Sequence, residues 1–274
     1  MRSFLALCVL FLAASAVHAG VVFETIDRDS KSGKSSPAER WFVQSGSARI
    51  EGDDGISIFR DGAVFALDPT DKSYHVMDQA TMQQLSARVK QNRAAQQQKM
   101  QAELAKLPPD KRAAVEARMG QEGFGTGAAP KKSSITAKDT GRAESVSGHS
   151  CEVFEITRDE VLDEQYCVAS FTTLPGGDEI QALMQKYQGF IEQISDLMAG
   201  PGGAGDAMRN EFELWRKLNG FPLITRSYAD GRLEGSERAV KTWKSQDVPA
   251  ALFEVPAGYT RRDLIKDLEA AQGK

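Results

Sequence analysis

Cys151 and Cys167 are two of the three cysteines in this 274-residue chain, and their spacing poses the first chemical question. A disulfide closing a loop of that size restrains the unfolded chain by about 3 kcal/mol in the loop-entropy view. The rival is a metal site built on the His149-Ser150-Cys151 pair of ligands. A structural zinc takes four ligands, and once Cys8 and His18 are set aside with the expected leader only His75 and Cys167 remain to complete a Cys/His set, at no standard spacing. A redox-active pair normally reads Cys-x-x-Cys, which does not occur. The expectation is therefore a disulfide. His75 and His149 have the chemistry of general bases. His75 lies in a strand-like stretch between Tyr74 and Val76, and His149 adjoins Ser150, but no nucleophile or acid can be set beside either from spacing alone. Gly33-Lys34-Ser35 imitates the end of a phosphate-binding loop, yet Arg28 occupies the place of its first glycine. Asp159, Glu160, Asp163 and Glu164 crowd one turn without the spacing of an EF-hand, which points to a solvated turn. Neither a Gly-x-Ser-x-Gly elbow nor a His-Glu-x-x-His motif is present. No catalytic residue, cofactor or metal is expected.

These residues need a scaffold, and the composition describes an ordinary globular one. Hydrophobic residues make up 41 %, charged residues 26 %, and the formal net charge is −4. That balance argues against a general nucleic-acid binder, whose affinity rests on Lys and Arg. At the start of the chain, Arg2 precedes an apolar run over residues 4–17. Val17-His18-Ala19 then puts small residues at −3 and −1 of a cleavage site. The run is too short to span about 30 Å of hydrocarbon. The expectation is a signal peptide over 1–19, cleaved after Ala19, and a periplasmic product in which the two remaining cysteines are oxidised.

Residues 20–77 read as a β meander. Strand-like stretches at 21–26, 40–43, 48–51, 56–59, 63–67 and 74–77 alternate with Gly/Asp/Pro turns and a polar loop over 29–37. The pattern changes at Asp78. Residues 79–119 lack glycine and carry eight Lys and Arg against three acids. Met82, Leu85 and Val89 give this basic helical arm only a thin stripe, and Pro108-Pro109 breaks it before a second helix beginning at Asp110. A Gly/Ala/Lys/Ser linker follows over 120–134. Stretches 152–157 and 162–169 form a hairpin that carries the cysteines. Residues 178–198 give the strongest amphipathic helix, apolar at i, i+3, i+4 and i+7 from Ile180 to Met198. Its acidic polar face opposes an anionic membrane surface, so it is expected to cover apolar surface of its own protein. A shorter helix carries Met208, Phe212, Trp215 and Leu218 on one face. A hairpin around Asp230-Gly231, a short strand over 253–256 and a C-terminal helix over 261–271 close the chain.

The run Trp41…Gly46-Ser47-Ala48-Arg49-Ile50-Glu51…Ile56-Ser57-Ile58-Phe59-Arg60…Leu67-Asp68-Pro69…Lys72-Ser73-Tyr74 resembles the early strands of periplasmic lipoprotein-carrier-like proteins. Phe221-Pro222-Leu223…Val248-Pro249…Leu252-Phe253-Glu254-Val255-Pro256-Ala257-Gly258-Tyr259 resembles their closing strands. Over nearly all of 20–260 the chain is similar to an uncharacterised exported family with a LolA/LolB/LppX-like fold. The resemblance implies one α+β domain over 20–260: a curved antiparallel open half-barrel sheet with a helical lid, here with an inserted helical arm over 79–119, and a C-terminal helix or tail over 261–274. It also implies a cavity for acyl chains. The arm has no counterpart in the carriers, and no lipid anchor is seen. The expected function is non-enzymatic binding of a lipid or other hydrophobic ligand, with Trp41, Phe59, Phe65, Phe154, Phe190, Trp243 and Phe253 lining the cavity. The alternative is an envelope interaction or sensor module with a filled core, docking a protein partner or anionic head groups through the basic arm.

Overall fold

In a computed structural model the described residues are 19–109, 111–112, 115, 134–198, 204–229 and 231–272. The expected signal peptide before Ala19, the helix from Asp110 and most of the 120–134 linker lie outside them. The chain is α+β, with one large open sheet. Six strands run first: β1 (Gly20–Asp29), β2 (Ser35–Gln44), β3 (Ser47–Gly52), β4 (Gly55–Arg60), β5 (Ala63–Asp68) and β6 (Ser73–Met77). After helix α1 (Gln79–Ala105) come β7 (Ile135–Val146), β8 (His149–Arg158) and β9 (Val161–Ser170). Helices α2 (Gly177–Met198) and α3 (Ala204–Leu218) precede β10 (Gly220–Ala229) and β11 (Arg232–Gln246). A two-residue β12 (Thr260–Arg261) and helix α4 (Leu264–Gln272) end the described chain.

The strands lie in the order β12-β6-β5-β4-β3-β2-β1-β11-β10-β9-β8-β7. Only the β12–β6 pair is parallel. Two-residue turns set the meander. Ser45-Gly46, Asp61-Gly62, Ser147-Gly148 and Asp159-Glu160 all have left-handed φ values, as tight hairpins with the right twist require. The four-acid stretch is thus the β8–β9 turn and its flank. Gly33 sits in the β1–β2 turn, where its N–H donates to Asp29 O, so the phosphate-loop imitation is a hairpin end.

Curvature comes from bulges. The β7–β8 register shifts between Asp139 and Ala143, with Gly141 at φ 68°. Beyond that break the hairpin swings across to β11, where Ser147 Oγ donates to the carbonyls of Val240 and Lys241 at 2.8 and 2.9 Å. Arg226 of β10 ties the same corner. It donates to both carboxylate oxygens of Glu144 on β7, to Gln165 on β9 and to Glu237 on β11. Glu237 also pairs with Arg28 of β1 at 3.2 Å.

Three apolar clusters hold the layers. The main one joins α2, through Ile180, Leu183 and Tyr187, to Val21, Phe23, Val43, Ala48 and Trp243 of the sheet. Glu179 in the first turn of α2 is buried and accepts the Ser45 N–H, so the helix is pinned to the β2–β3 turn. A second cluster, Val22, Phe42, Ile58 and Leu67, lies under Val248 and Phe253. The residues expected as a closing strand at 253–256 are instead a 3₁₀ turn, Ala250–Phe253, followed by extended chain outside the sheet. A third cluster packs Leu214, Trp215 and Leu218 of α3 on Ile156, Tyr166 and Val168. The disulfide Cys151–Cys167 is present, with Cα atoms 5.2 Å apart on adjacent strands.

Helix α1 departs from an amphipathic design. Asp78 caps it by accepting the Thr81 N–H at 2.8 Å, and Arg112 donates to the carbonyls of Leu104, Ala105 and Leu107 at its other end. Met82 is buried, Leu85 and Val89 are half-buried, and residues 90–99 are exposed. The thin stripe docks the first three turns, and beyond it Arg93 donates to Leu197 O of α2 at 3.1 Å.

Candidate functional site

Four of the seven aromatic residues expected in a cavity come together in the main cluster: Trp41, Phe59, Phe190 and Trp243. Phe65 and Phe253 pack in the second cluster and Phe154 in the third, so the seven do not line one space. The reason is register. Ile58 stands opposite Phe65 and Ile56 opposite Leu67, and this row is covered by Phe253 rather than by α2. Phe59 stands on the other face and meets Tyr187 of α2 edge-on at 5.3 Å.

Where β2, β1 and β11 run side by side, cross-strand pairing stacks three rings. Trp41 and Trp243 both stand opposite Phe23. The ring centroids are 5.3 Å apart for Phe23–Trp41 and 4.9 Å for Phe23–Trp243, each pair inclined by 14°. Phe221 of β10 meets Phe23 edge-on at 5.2 Å. Phe23 and Trp243 are buried, and Trp243 Nε1 donates to Pro175 O at 3.0 Å. Trp41 and Phe221 are half-buried, because a cleft of about 350 Å³ opens beside them. Leu223, Ala239 and Val240 extend its floor, and α3 supplies Glu211 and Trp215 one turn apart on its wall.

The far wall is polar. Bulges in the strands on both sides of β1 fall at Thr25, whose hydroxyl accepts the Glu39 N–H at 3.1 Å and donates to Glu39 O at 3.4 Å. The Glu39 carboxylate then accepts the Trp41 Nε1–H at 2.9 Å. Arg238 grips Asp27 with two hydrogen bonds of 2.9 and 3.1 Å and stands 3.7 Å from Glu39. Asp27, Glu39 and Arg238 also border a second cleft of about 380 Å³, which continues over Ser36, Asp53, Asp54 and Ser57. The two clefts share one wall and together form a trough with an apolar end and an acidic end.

Behind α3, Tyr166 donates its hydroxyl to Glu164. Desolvation, and secondly the charge of Asp163, hold Glu164 above the usual carboxylate range despite that hydrogen bond. Desolvation and the Glu164 charge do the same to Glu211. An acid whose pKa is raised by folding binds more protons folded than unfolded above its ordinary value of 4.5. Stability then rises as pH falls into that interval. The thermal midpoint is expected to increase on acidification from about pH 7 to about pH 5, and Glu164→Gln to flatten the rise. A midpoint falling monotonically over that interval in the wild type contradicts the assignment.

The remaining candidates are placed elsewhere. His75 Nε2 is 2.8 Å from Asp267 Oδ2, which links β6 to α4, and Arg262 holds the same carboxylate at 2.9 Å. The His149 ring lies 6.4 Å from that of Trp243, edge-on. Among the described residues no group of three or more His, Cys, Asp or Glu is arranged to hold a metal ion. No described helix is long and apolar enough to cross a membrane. The cleft residues that sequence reasoning missed are Phe23, Phe221, Trp215, Glu39, Glu211 and Arg238. The helical spacing of Trp215 and the strand alternation of Phe23 were visible, but not their convergence. Comparison with protein-family models and with curated proteins finds no match.

Proposed function

We propose that the protein is an exported, non-enzymatic binding protein that seats the apolar part of a lipid or other hydrophobic ligand in the cleft over Phe23, Trp41 and Phe221. The observation that carries this reading is the half-buried aromatic floor beside a space of about 350 Å³. That volume lies within the range of small-molecule sites, about 300–1,000 Å³. Burying a chain there contributes about 0.8 kcal/mol per methylene removed from water. In this reading α2 is a fixed cover, since its apolar face is packed into the core, and α3 is the wall beside which ligand enters. The disulfide supports an oxidising compartment.

The test is mass spectrometry of an organic extract from protein secreted and purified without detergent. The expected result is a defined amphiphile in stoichiometric amount, and its loss from Phe221→Ser with the thermal transition retained. If that variant misfolds, Trp215→Ser, on the opposite wall, replaces it. Wild-type protein that is free of ligand, or a variant that folds and carries the same load, overturns the reading.

A further inference from the structure

We infer that the trough selects amphiphiles whose head group is an ammonium and rejects those ending in a carboxylate or sulfate. This rests on the cleft being a ligand site and goes further by assigning the ligand's charge.

The two ends of the trough differ in kind. The aromatic end is walled by Trp41, Phe221 and Trp215, and the other end by Asp53 and Asp54. Between them stand Asp27, Glu39 and Arg238, shared by both clefts. An extended ligand lying along this trough has its chain on the rings and its head among carboxylates.

Among the described residues Arg238 is the one cationic side chain lining either cleft, and it is already engaged. Its two hydrogen bonds to Asp27 and its approach to Glu39 already offset its charge, so an anionic head meets a cation that two carboxylates share. The carboxylates, in contrast, are in excess. Glu211 makes no hydrogen bond or ion pair with another described residue, and it faces the same space as the rings. A bound cation would sit where the two clefts meet, against Glu39 and Glu211 and the face of Trp41, with Phe23 and Phe221 left to the chain. Ammonium groups are attracted to such faces by the ring quadrupole, most strongly where water is excluded. An anion entering the same space meets the like charges of Asp27, Glu39 and Glu211.

Three probes with one chain and different heads separate the claims: octyltrimethylammonium, octyl glucoside and octanoate, each titrated below its micellar concentration. Binding is read from the fluorescence of Trp41, Trp215 and Trp243, the three tryptophans of the chain, and checked by calorimetry. The ammonium probe is expected to bind at least tenfold more tightly than octanoate at low salt, with the glucoside between. The ratio should shrink toward one as salt screens the carboxylates, and again in Glu39→Gln combined with Glu211→Gln. Phe221→Ser should weaken all three probes alike. Octanoate binding as tightly as the ammonium probe, or a ratio that salt leaves unchanged, overturns the charge selection while the binding reading stands. Binding of none of the three, by protein that also yields no extracted ligand, removes both.

Discussion

Arg226→Ala is expected to destabilise the protein by about 3 kcal/mol, the lower end for removing one partner of a buried ion pair. The Arg226 side chain is 17 % exposed and that of Glu237 is 13 %. Its guanidinium makes four hydrogen bonds, to Glu144, Gln165 and Glu237, so alanine takes that donor from Glu144 and the buried Gln165 amide and leaves Glu237 only its longer pairing with Arg28. Lysine does not repair this, because a point charge cannot reproduce the two-pronged grip on Glu144. The measurement is the urea midpoint, with an unchanged m-value showing that the loss is one of stability. A loss under about 1 kcal/mol would class the network with exposed ion pairs. The pH dependence has a definite sign. The Arg226 hydrogen bond holds Glu144 below its ordinary value of 4.5. Its contribution is therefore complete above that value and is lost as pH falls through the lowered pKa. Wild type and Arg226→Ala should converge in acid.

Replacing both Cys151 and Cys167 by alanine is expected to cost about 3 kcal/mol, from the restored freedom of the loop between them. For a chain of this size that lowers the thermal midpoint by about 6–12 °C. Both cysteines are buried in the main cluster, at 2 % and 0 % exposure, so the substitution also leaves small voids that add to the loss. Reduction under denaturing conditions followed by refolding should reproduce most of the effect. Equal midpoints for oxidised and reduced protein would show that the bond contributes nothing to stability.

The meander was legible because its strands are rich in β-branched and aromatic residues and its turns carry Gly and Asp. The same logic failed at β7, whose sequence Ile-Thr-Ala-Lys-Asp-Thr-Gly-Arg-Ala-Glu-Ser-Val buries only its last residue. An exposed edge strand has no apolar face to announce it. Likewise β2 begins at Ser35, inside the expected polar loop, because Ser35-Ser36-Pro37 pair with β1 away from the core. Alternation showed that Ala63, Phe65 and Leu67 share a face, but not which side of the sheet that face takes. This is why Phe65 was assigned to the cavity. Asp27, Glu39 and Arg238 looked like ordinary surface charges of strands. Their meaning appears only when two bulges turn them toward the same trough as Phe23 and Trp41.

An open sheet leaves two borders on which another chain could add a strand and seed aggregation. One border here is β12, two residues long, too short to template anything. The other is β7, where unpaired backbone is continuous enough to be a hazard. Its register break between Asp139 and Ala143 interrupts that template, and Lys138, Asp139, Arg142 and Glu144 put charge along it. The strand hardest to read from its sequence is thus the one whose polarity guards an open border, and replacing its charges with apolar residues is expected to promote fibre formation.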